Sequence, residues 1–303
     1  MCFLEIFIII FAFLNNYDNI NINRLDIKYK AKVANMEKLN ILGTGHAMTL
    51  DCYNTCFTLE NNDGEHILVD TGGGLQIIKQ LRDANIDLKK IHNIILSHKH
   101  TDHILGMFWI IRYARKFFDN NNYDGNLNVY MHKELESTIR KIMFEVLPQK
   151  YTKLIDNRII FNIVEDKEEI KILNYNIKFL DVQAKKDRQF GFKTILENGK
   201  KIVFLGDETF DEKLRDEVEN ADWLLHESMC MDSEADIFKP YEKMHSTVKT
   251  ASEIGASLNV KNLVLYHASD NDLENRKRLY KEEAKQYFNG NIYVPDDLDV
   301  IEL

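Results

Sequence analysis

The sequence is short of cysteine, proline and basic charge. Its 303 residues include four cysteines and three prolines, and 39 Lys and Arg are outnumbered by 48 Asp and Glu. The cysteines form no CxxC pair and no dense framework, which is typical of reduced thiols in a cytosol rather than of a disulfide scaffold. A metal site at Cys52 and Cys56 is a weak alternative, because no second pair accompanies them. The net charge of −9 leaves no global basic field for nucleic acid, so an RNA substrate would need a local basic patch.

Long apolar runs are also scarce. The run at residues 7–14 is too short to span a bilayer easily, and it lacks the basic region and the cleavage site of a secretory signal. Residues 1–35 are either a weak membrane anchor or an extension upstream of a natural start at Met36. We favour the second interpretation, because the regular pattern of the domain begins within three residues of Met36. The sequence therefore predicts an extension, 1–35, and a single domain, 36–303, in the cytoplasm with no stable membrane partner.

From Leu39 onward, short apolar strands alternate with amphipathic helical stretches. The strand His92–Leu96 leads straight into a histidine-rich segment, and a helix follows that segment. Strands then crowd together between residues 158 and 205, where Asn198-Gly199 predicts a hairpin. No repeat, low-complexity tract or linker divides the domain. This order of elements predicts an α/β fold in which two stacked sheets have helices outside.

The histidine-rich segment concentrates side chains that bind metals. His98, His100, Asp102 and His103 fall within six residues, and burying them unpaired would cost stability. Zinc accepts imidazole nitrogen and carboxylate oxygen, so a divalent ion would resolve that cost. The spacing turns His98 and His100 to one side, and Asp102 and His103 towards a second position. The cluster therefore predicts a metal centre.

This HxHxDH pattern after an apolar strand resembles the signature of the metallo-β-lactamase superfamily, and the resemblance spans about residues 38–302. It implies an αββα sandwich with the site at the sheet edges and usually two Zn²⁺ ions. The two leading histidines would serve one ion, and the aspartate and last histidine the other. Asp70, in a Val-Asp-Thr-Gly turn, would support the ligands from behind. Asp207 would bridge both ions, and His267 would complete the second position.

Other segments resemble ribonuclease Z, the family of tRNA 3′-processing endonucleases. The matching segments are Leu225-His226-Glu227-Ser228, Met244-His245-Ser246-Thr247 and the opening glycine loop Ile41-Leu42-Gly43-Thr44-Gly45 with Asn54. The resemblance implies that His245 donates a proton to the leaving oxygen and that Glu227 orients it. His46 and Asn54, at the glycine loop, are candidates for contact with the substrate.

The implied chemistry is phosphodiester hydrolysis, with tRNA or a small nucleotide as substrate. A hydroxide held by the metal ions would attack phosphorus, with Asp102 and Asp207 keeping it in line, and His245 would protonate the leaving alkoxide. An imidazole suits this task near neutral pH. Three basic residues either reach phosphate oxygens or form a solvated loop: Lys185, Lys186 and Arg188.

The sequence departs from the ribonuclease Z pattern twice. Gln183 stands where the family has the third histidine of the first metal, so that site would be weaker, hold Mn²⁺ instead of Zn²⁺ or use a water. Asp181, two residues earlier, is a candidate helper. Between Gln183 and Asp207 there is no room for the long arm with which bacterial members grip tRNA, which leaves a smaller phosphodiester, such as a cyclic nucleotide, open.

Two other functions stay open. One is hydrolysis of a carboxylic ester, thioester or lactam on the same fold, although those branches do not characteristically carry the pair Glu227 and His245. The other is a binding protein with a degenerate metal site. A homodimer is a further expectation, because resembling enzymes often dimerise.

Overall fold

The computed structural model of the protein describes residues 36–120 and 122–303. The apolar run at residues 7–14, and with it the predicted extension, lies outside these ranges. Within the described ranges, no helix is both long and apolar enough to cross a membrane.

The first sheet has seven strands in the spatial order β14-β1-β2-β3-β4-β5-β6. Its strands are β1 Lys38–Gly43, β2 Cys56–Glu60, β3 His66–Val69, β4 Ile91–Ile95, β5 Leu127–Met131, β6 Ile159–Ile163 and β14 Val300–Glu302. Pairing is antiparallel from β14 to β3 and parallel from β3 to β6. The sheet is therefore mixed, and its parallel half contains the strand that precedes the histidine-rich segment.

The second sheet also has seven strands, in the order β13-β12-β11-β10-β9-β8-β7. Its strands are β7 Glu169–Ile172, β8 Tyr175–Asp181, β9 Phe190–Ile195, β10 Lys201–Phe204, β11 Trp223–Glu227, β12 Asn262–Tyr266 and β13 Asn291–Tyr293. Pairing is parallel from β13 to β10 and antiparallel from β10 to β7. The predicted hairpin at Asn198-Gly199 joins β9 to β10.

The helices connect the strands of both sheets. They are α1 Gln76–Asp83, α2 Thr101–Asp119, α3 Lys133–Val146, α4 Gln149–Thr152, α5 Arg215–Val218, α6 Ala235–Phe238, α7 Val248–Ser257 and α8 Leu273–Ala284. The helix predicted after the histidine-rich segment is α2, which begins inside that segment, because His100 is its N-cap residue.

Three apolar layers show how the sheets and helices stack. One layer joins helix residues such as Ile77 and Met107 to strand residues such as Leu68. A middle layer joins the two sheets, and a third joins the second sheet to the later helices. Along β8, Phe179 lies in the middle layer and the next residue, Leu180, in the outer one, as the two-residue period of a strand requires. The predicted α/β sandwich is therefore confirmed.

Candidate metal centre

Six of the predicted metal ligands come from segments that follow three strands. His98 and His100 follow β4, Asp102 and His103 lie in the first turn of α2, and Asp207 and His267 follow β10 and β12. Five of them are almost fully buried, and only His100 is exposed, with 44% of its side chain accessible. Residues that are far apart in sequence therefore meet at one edge of the sandwich.

Asp207 lies at the middle of the cluster. Its Oδ2 is 3.4 Å from Nε2 of His98, 3.3 Å from Nε2 of His103 and 3.5 Å from Nε2 of His267. Oδ2 of Asp102 lies 3.3 Å from Nε2 of His103 and 3.6 Å from Nε2 of His267. Among the described residues, three overlapping groups of donor atoms result: His98, His103 and Asp207; Asp102, His103 and His267; and Asp207, His245 and His267. His100 belongs to none of these groups.

The donor set fits divalent metal ions. Nε2 of His103, Nε2 of His267 and Oδ1 of Asp207 are buried without a hydrogen-bond partner among the described residues. Buried polar atoms without partners are costly, and so are buried carboxylates, unless a cation satisfies them. Imidazole nitrogens with carboxylate oxygens are a donor set that zinc accepts.

Protonation states agree with this fit. Burial lowers the pKa of His98 and favours the neutral imidazole that binds metals. Burial raises the pKa of Asp207, but His98 and His103 outweigh it and hold the pKa well below the ordinary value. Burial likewise lowers the pKa of His103, but Asp102 and Asp70 outweigh it and raise the pKa. A metal ion would displace the proton that those carboxylates attract to His103.

Asp70 orients His103 directly and His98 through Ser97. Its Oδ2 accepts a hydrogen bond from Nδ1 of His103 at 2.7 Å, which leaves Nε2 of that ring facing Asp207. The same oxygen accepts from the hydroxyl of Ser97, and that hydroxyl lies 3.0 Å from Nδ1 of His98. One carboxylate thus fixes the orientation of two rings, as the carboxylates behind metal-bound histidines commonly do.

Gln183 does not join the centre. Its backbone has a positive φ of 62°, its Oε1 accepts a hydrogen bond from Nζ of Lys213, and its Nε2 donates to the carbonyl of Asp181. Asp181 itself pairs with Arg188 at 2.9 Å. Both side chains are therefore bound to other partners, and these contacts give no support to Gln183 or Asp181 as metal ligands.

A cavity of about 250 Å³ opens above the metal centre. Its lining includes Asp102, Asp207, His267, His245, His46 and Lys186. A larger, more open depression of about 520 Å³ lies around Lys277 and Val300 and contains none of the predicted site residues. We take the smaller cavity as the candidate active site, because it contains the centre.

His245 is held beside the centre by Glu227. Oε2 of the fully buried Glu227 lies 3.5 Å from Nδ1 of His245, and Oε1 accepts the backbone N–H of Ser246. Thr247 caps α7 through its side chain and ends the loop. Burial lowers the pKa of His245, but Glu227 and Asp207 outweigh it and raise the pKa to about 9. The raised pKa favours the protonated ring, which is the form that a proton donor needs.

His46 and Asn54 have different places. The ring of His46 lines the cavity, and its centroid is 6.2 Å from that of His267. Asn54 donates a hydrogen bond from Nδ2 to the carbonyl of His46, so it holds the glycine loop and does not line the cavity. Of the three basic residues, Lys186 lines the cavity, whereas Arg188 pairs with Asp181.

Seven cavity residues were not predicted from the sequence, and four of them are polar: Asp187, Gln189, Glu208 and Lys243. Gln189 accepts the backbone N–H of Asp207 through Oε1, and Asp187 contacts His100. Burial and the neighbouring Asp207 raise the pKa of Glu208 to about 7. Only Glu208 carried a signal in the sequence, its place directly after Asp207. The cysteines Cys52 and Cys56 join none of the metal-ligand groups of residues 36–120 and 122–303.

Known proteins resemble the chain along most of its length. Curated relatives include ribonuclease Z of Nanoarchaeum equitans, 27% identical with 86% of this chain and 92% of that protein covered, and ribonuclease Z of Archaeoglobus fulgidus, 25% identical with 86% and 95% covered. Solved structures include the metallo-β-lactamase fold protein YhfI from Bacillus subtilis, with a TM-score of 0.71, 16% identity and 88% and 99% coverage. Another is the short form of human tRNase Z, with a TM-score of 0.66, 20% identity and 87% and 98% coverage.

These similarities confirm the metallo-β-lactamase fold and the resemblance to ribonuclease Z. A family model described as "Anti-Pycsar protein Apyc1" matches residues 37–288, which is most of the chain. The chain is a metal-dependent, ribonuclease Z-like hydrolase, and it belongs to the Anti-Pycsar protein Apyc1 family.

Proposed function

We propose that the protein hydrolyses phosphodiesters, with His245 as the proton donor to the leaving oxygen. The observation that carries the proposal is that His245, with the buried Glu227 behind it, lines the same cavity as Asp207. A protonated imidazole at the rim of a metal centre suits a leaving alkoxide, which departs only with a proton. The branches of this fold that catalyse acyl transfer do not characteristically carry this pair.

The proposed ligands are six residues, with Asp207 shared between two positions. They are His98 and His100 for the first position, and Asp102, His103 and His267 for the second. When bound, divalent ions supply positive charge that acidifies water and stabilises the attacking and leaving oxygens of a phosphodiester. Zn²⁺ fits the donors best, and Mn²⁺ is the alternative at the first position, where Gln183 stands in place of the third histidine of the ribonuclease Z pattern.

The chain's own residues have separate tasks in this mechanism. Asp70 keeps Nε2 of His103 directed at the centre, and Asp207 holds its carboxylate between three rings. Glu227 keeps the proton on His245 by its charge. Lys186 and His46 line the cavity where the substrate would lie, so the lysine can face a phosphate oxygen.

The substrate that we favour is a small nucleotide rather than tRNA. The segment from Gln183 to Asp207 forms a short loop, β9 and β10, and leaves no chain for a protruding arm. The cavity of about 250 Å³ has room for one nucleotide unit, and the net charge of −9 opposes a long polyanion. Processing of tRNA, the activity in the name of the human neighbour, is the second candidate.

The first experiment combines elemental analysis with hydrolysis of bis-p-nitrophenyl phosphate in the presence of zinc or manganese. We expect about two metal ions per chain and turnover. A preparation that binds neither metal and shows no turnover would reject a metal-dependent hydrolase.

The second experiment settles the substrate. Precursor tRNA with a 3′ trailer and a set of cyclic nucleotides are compared under the same conditions. Cleavage of the small esters with intact tRNA is the expected result, and cleavage of the tRNA alone would overturn it.

We also propose a cytoplasmic location and a homodimer. The location rests on the scarcity of cysteine and on the curated relatives, which are named as ribonucleases. The dimer rests on the expectation that resembling enzymes often form dimers. Cell fractionation tests the cytoplasmic location, and light scattering of the purified protein tests the homodimer.

A further inference from the structure

His100 differs from the other proposed ligands in its surroundings. It is 44% exposed, whereas the ring of His98 is fully buried and lies 3.0 Å from the hydroxyl of Ser97. An exposed imidazole can adopt several rotamers, and holding one of them costs side-chain entropy. The first metal position also lacks the third histidine of the ribonuclease Z pattern, because Gln183 stands there and its Oε1 accepts a hydrogen bond from Lys213. This position therefore depends strongly on the orientation of His100.

The two nitrogens of His100 face different partners. Nδ1 lies 2.9 Å from Nε2 of His98, on the side of the metal centre. Nε2 lies 3.1 Å from Oδ2 of Asp187, on the opposite side of the ring. A histidine that binds a metal through one nitrogen usually donates a hydrogen bond from the other, and the acceptor fixes the tautomer. Nδ1 is thus the nitrogen for a metal, and Nε2–H donates to Asp187.

Asp187 is itself held in place. Its Oδ1 lies 2.6 Å from Nζ of Lys99, so the carboxylate joins Lys99 and His100. The contact repeats what Asp70 does for His103, where a carboxylate bonds Nδ1 and Nε2 faces the centre. Asp187 lies beyond the ring of His100 and so acts on the metal position through that ring.

We propose that Asp187 is a positioning residue that orients His100 for the first metal position, in a loop that supplies no third imidazole. In the loop between β8 and β9, Gln183 stands where a direct histidine ligand is expected. Asp187, four residues later, instead supports the ligand His100. The inference rests on the proposed metal centre, so its test measures metal binding directly and separates the two.

The experiment titrates zinc into the metal-free full chain against a chromophoric chelator. Asp187→Ala should weaken the binding of one zinc equivalent by about tenfold to a hundredfold, the usual effect of removing such a partner, and leave the other equivalent unchanged. Asp187→Asn should lose less zinc affinity than Asp187→Ala, because its amide oxygen can still accept the hydrogen bond from Nε2 of His100. Gln183→Ala is the matched control in the same loop and should bind zinc as the natural sequence does.

A double-mutant cycle and a cobalt spectrum show whether Asp187 acts through His100. His100→Ala should weaken the same equivalent, and adding Asp187→Ala to it should have little further effect. With Co²⁺ in place of zinc, the visible absorption of the first position should change in Asp187→Ala, which a merely structural role would not cause.

The outcomes separate the two proposals. If His100→Ala weakens zinc binding and Asp187→Ala does not, the role of Asp187 is wrong and the metal centre stands. If Gln183→Ala weakens it as much as Asp187→Ala, the glutamine is a ligand and the inference fails. If the natural sequence binds no zinc, the proposed metal centre itself fails.

Discussion

At the scale of single residues, the pair Glu227 and His245 combines burial with charge. Glu227 is fully buried, and its Oε1 accepts the backbone N–H of Ser246 while Oε2 faces the imidazole. A buried carboxylate favours the charged form of a neighbouring imidazole. Glu227 therefore raises the pKa of the His245 imidazole at the edge of the cavity.

The first prediction concerns the leaving group. His245→Ala should lower kcat by about a hundredfold or more for nucleotide esters with an alkoxide leaving group, the usual contribution of a general acid. The loss should be much smaller for bis-p-nitrophenyl phosphate, because p-nitrophenolate leaves as a stable anion. Steady-state kinetics on both substrates measure the difference.

The matched control is His92→Ala, because His92 packs against Tyr123 away from the cavity. It should change neither rate. Equal losses on both substrates in His245→Ala would contradict a role in protonating the leaving oxygen.

At the scale of elements, α2 is fixed to the turn that contains Asp70. The backbone N–H of Gly106 donates to the carbonyl of Gly72 at 2.9 Å, and the hydroxyl of Thr71 donates to the carbonyl of His103. A Cβ at Gly106 would lie 1.9 Å from the carbonyl oxygen of Thr71. The helix that begins at the metal ligands thus packs directly against the residues that orient them.

The second prediction follows from this close packing. Gly106→Ala should force the helix and the turn apart, lower the free energy of unfolding by about 3 kcal/mol and weaken zinc binding. Gly74→Ala is the control, because a Cβ there has nothing within 4 Å. Thermal unfolding and zinc titration of both variants provide the measurement. A Gly106→Ala protein with natural stability would show that the helix can move without cost.

At the scale of the whole molecule, the metal centre joins the two sheets. His98, Asp102 and His103 come from the segment after the first sheet's β4, whereas Asp207 and His267 follow strands of the second sheet. Several of their atoms are buried without a hydrogen-bond partner among the described residues. A bound ion would therefore stabilise the sandwich as well as the site.

The third prediction is that chelation lowers thermal stability. A ligand that binds only the folded state contributes about 2.7 kcal/mol per site at a hundredfold excess over its Kd. Dialysis against a chelator should lower Tm by several degrees, and zinc should restore it. Asp207→Asn should show a smaller difference between the metal-free and zinc-loaded protein. An unchanged Tm on chelation would contradict this link between the metal and the fold.

The fourth prediction concerns residues 1–35. A chain that begins at Met36 should keep its zinc content, turnover and Tm, because the proposed ligands and the three apolar layers belong to residues 36–303. The comparison with the full chain uses the same three measurements. A loss of turnover would indicate that the extension belongs to the working enzyme.

Much of the fold was predictable because its signals are local. The strand predicted at His92–Leu96 occurs at Ile91–Ile95, within one residue of those bounds, since a buried strand needs only a short apolar run between polar turns. Asp102 and His103 could be identified as candidate ligands equally well, because they follow such a strand within one short motif. The start of α2 was harder to predict, because its first turn contains the polar ligands themselves.

The sequence by itself predicted the sandwich and the cluster His98, His100, Asp102 and His103, because residue types at short spacing carry both. The resemblance to ribonuclease Z supplied the distant residues Asp207, Glu227, His245 and His267. The tertiary structure alone decided that Gln183 turns away and that Asp187 reaches His100. Both depend on the backbone of one loop, where a positive φ at Gln183 redirects the chain. A contact across 87 residues leaves no periodic trace in the sequence, so only the folded chain reveals it.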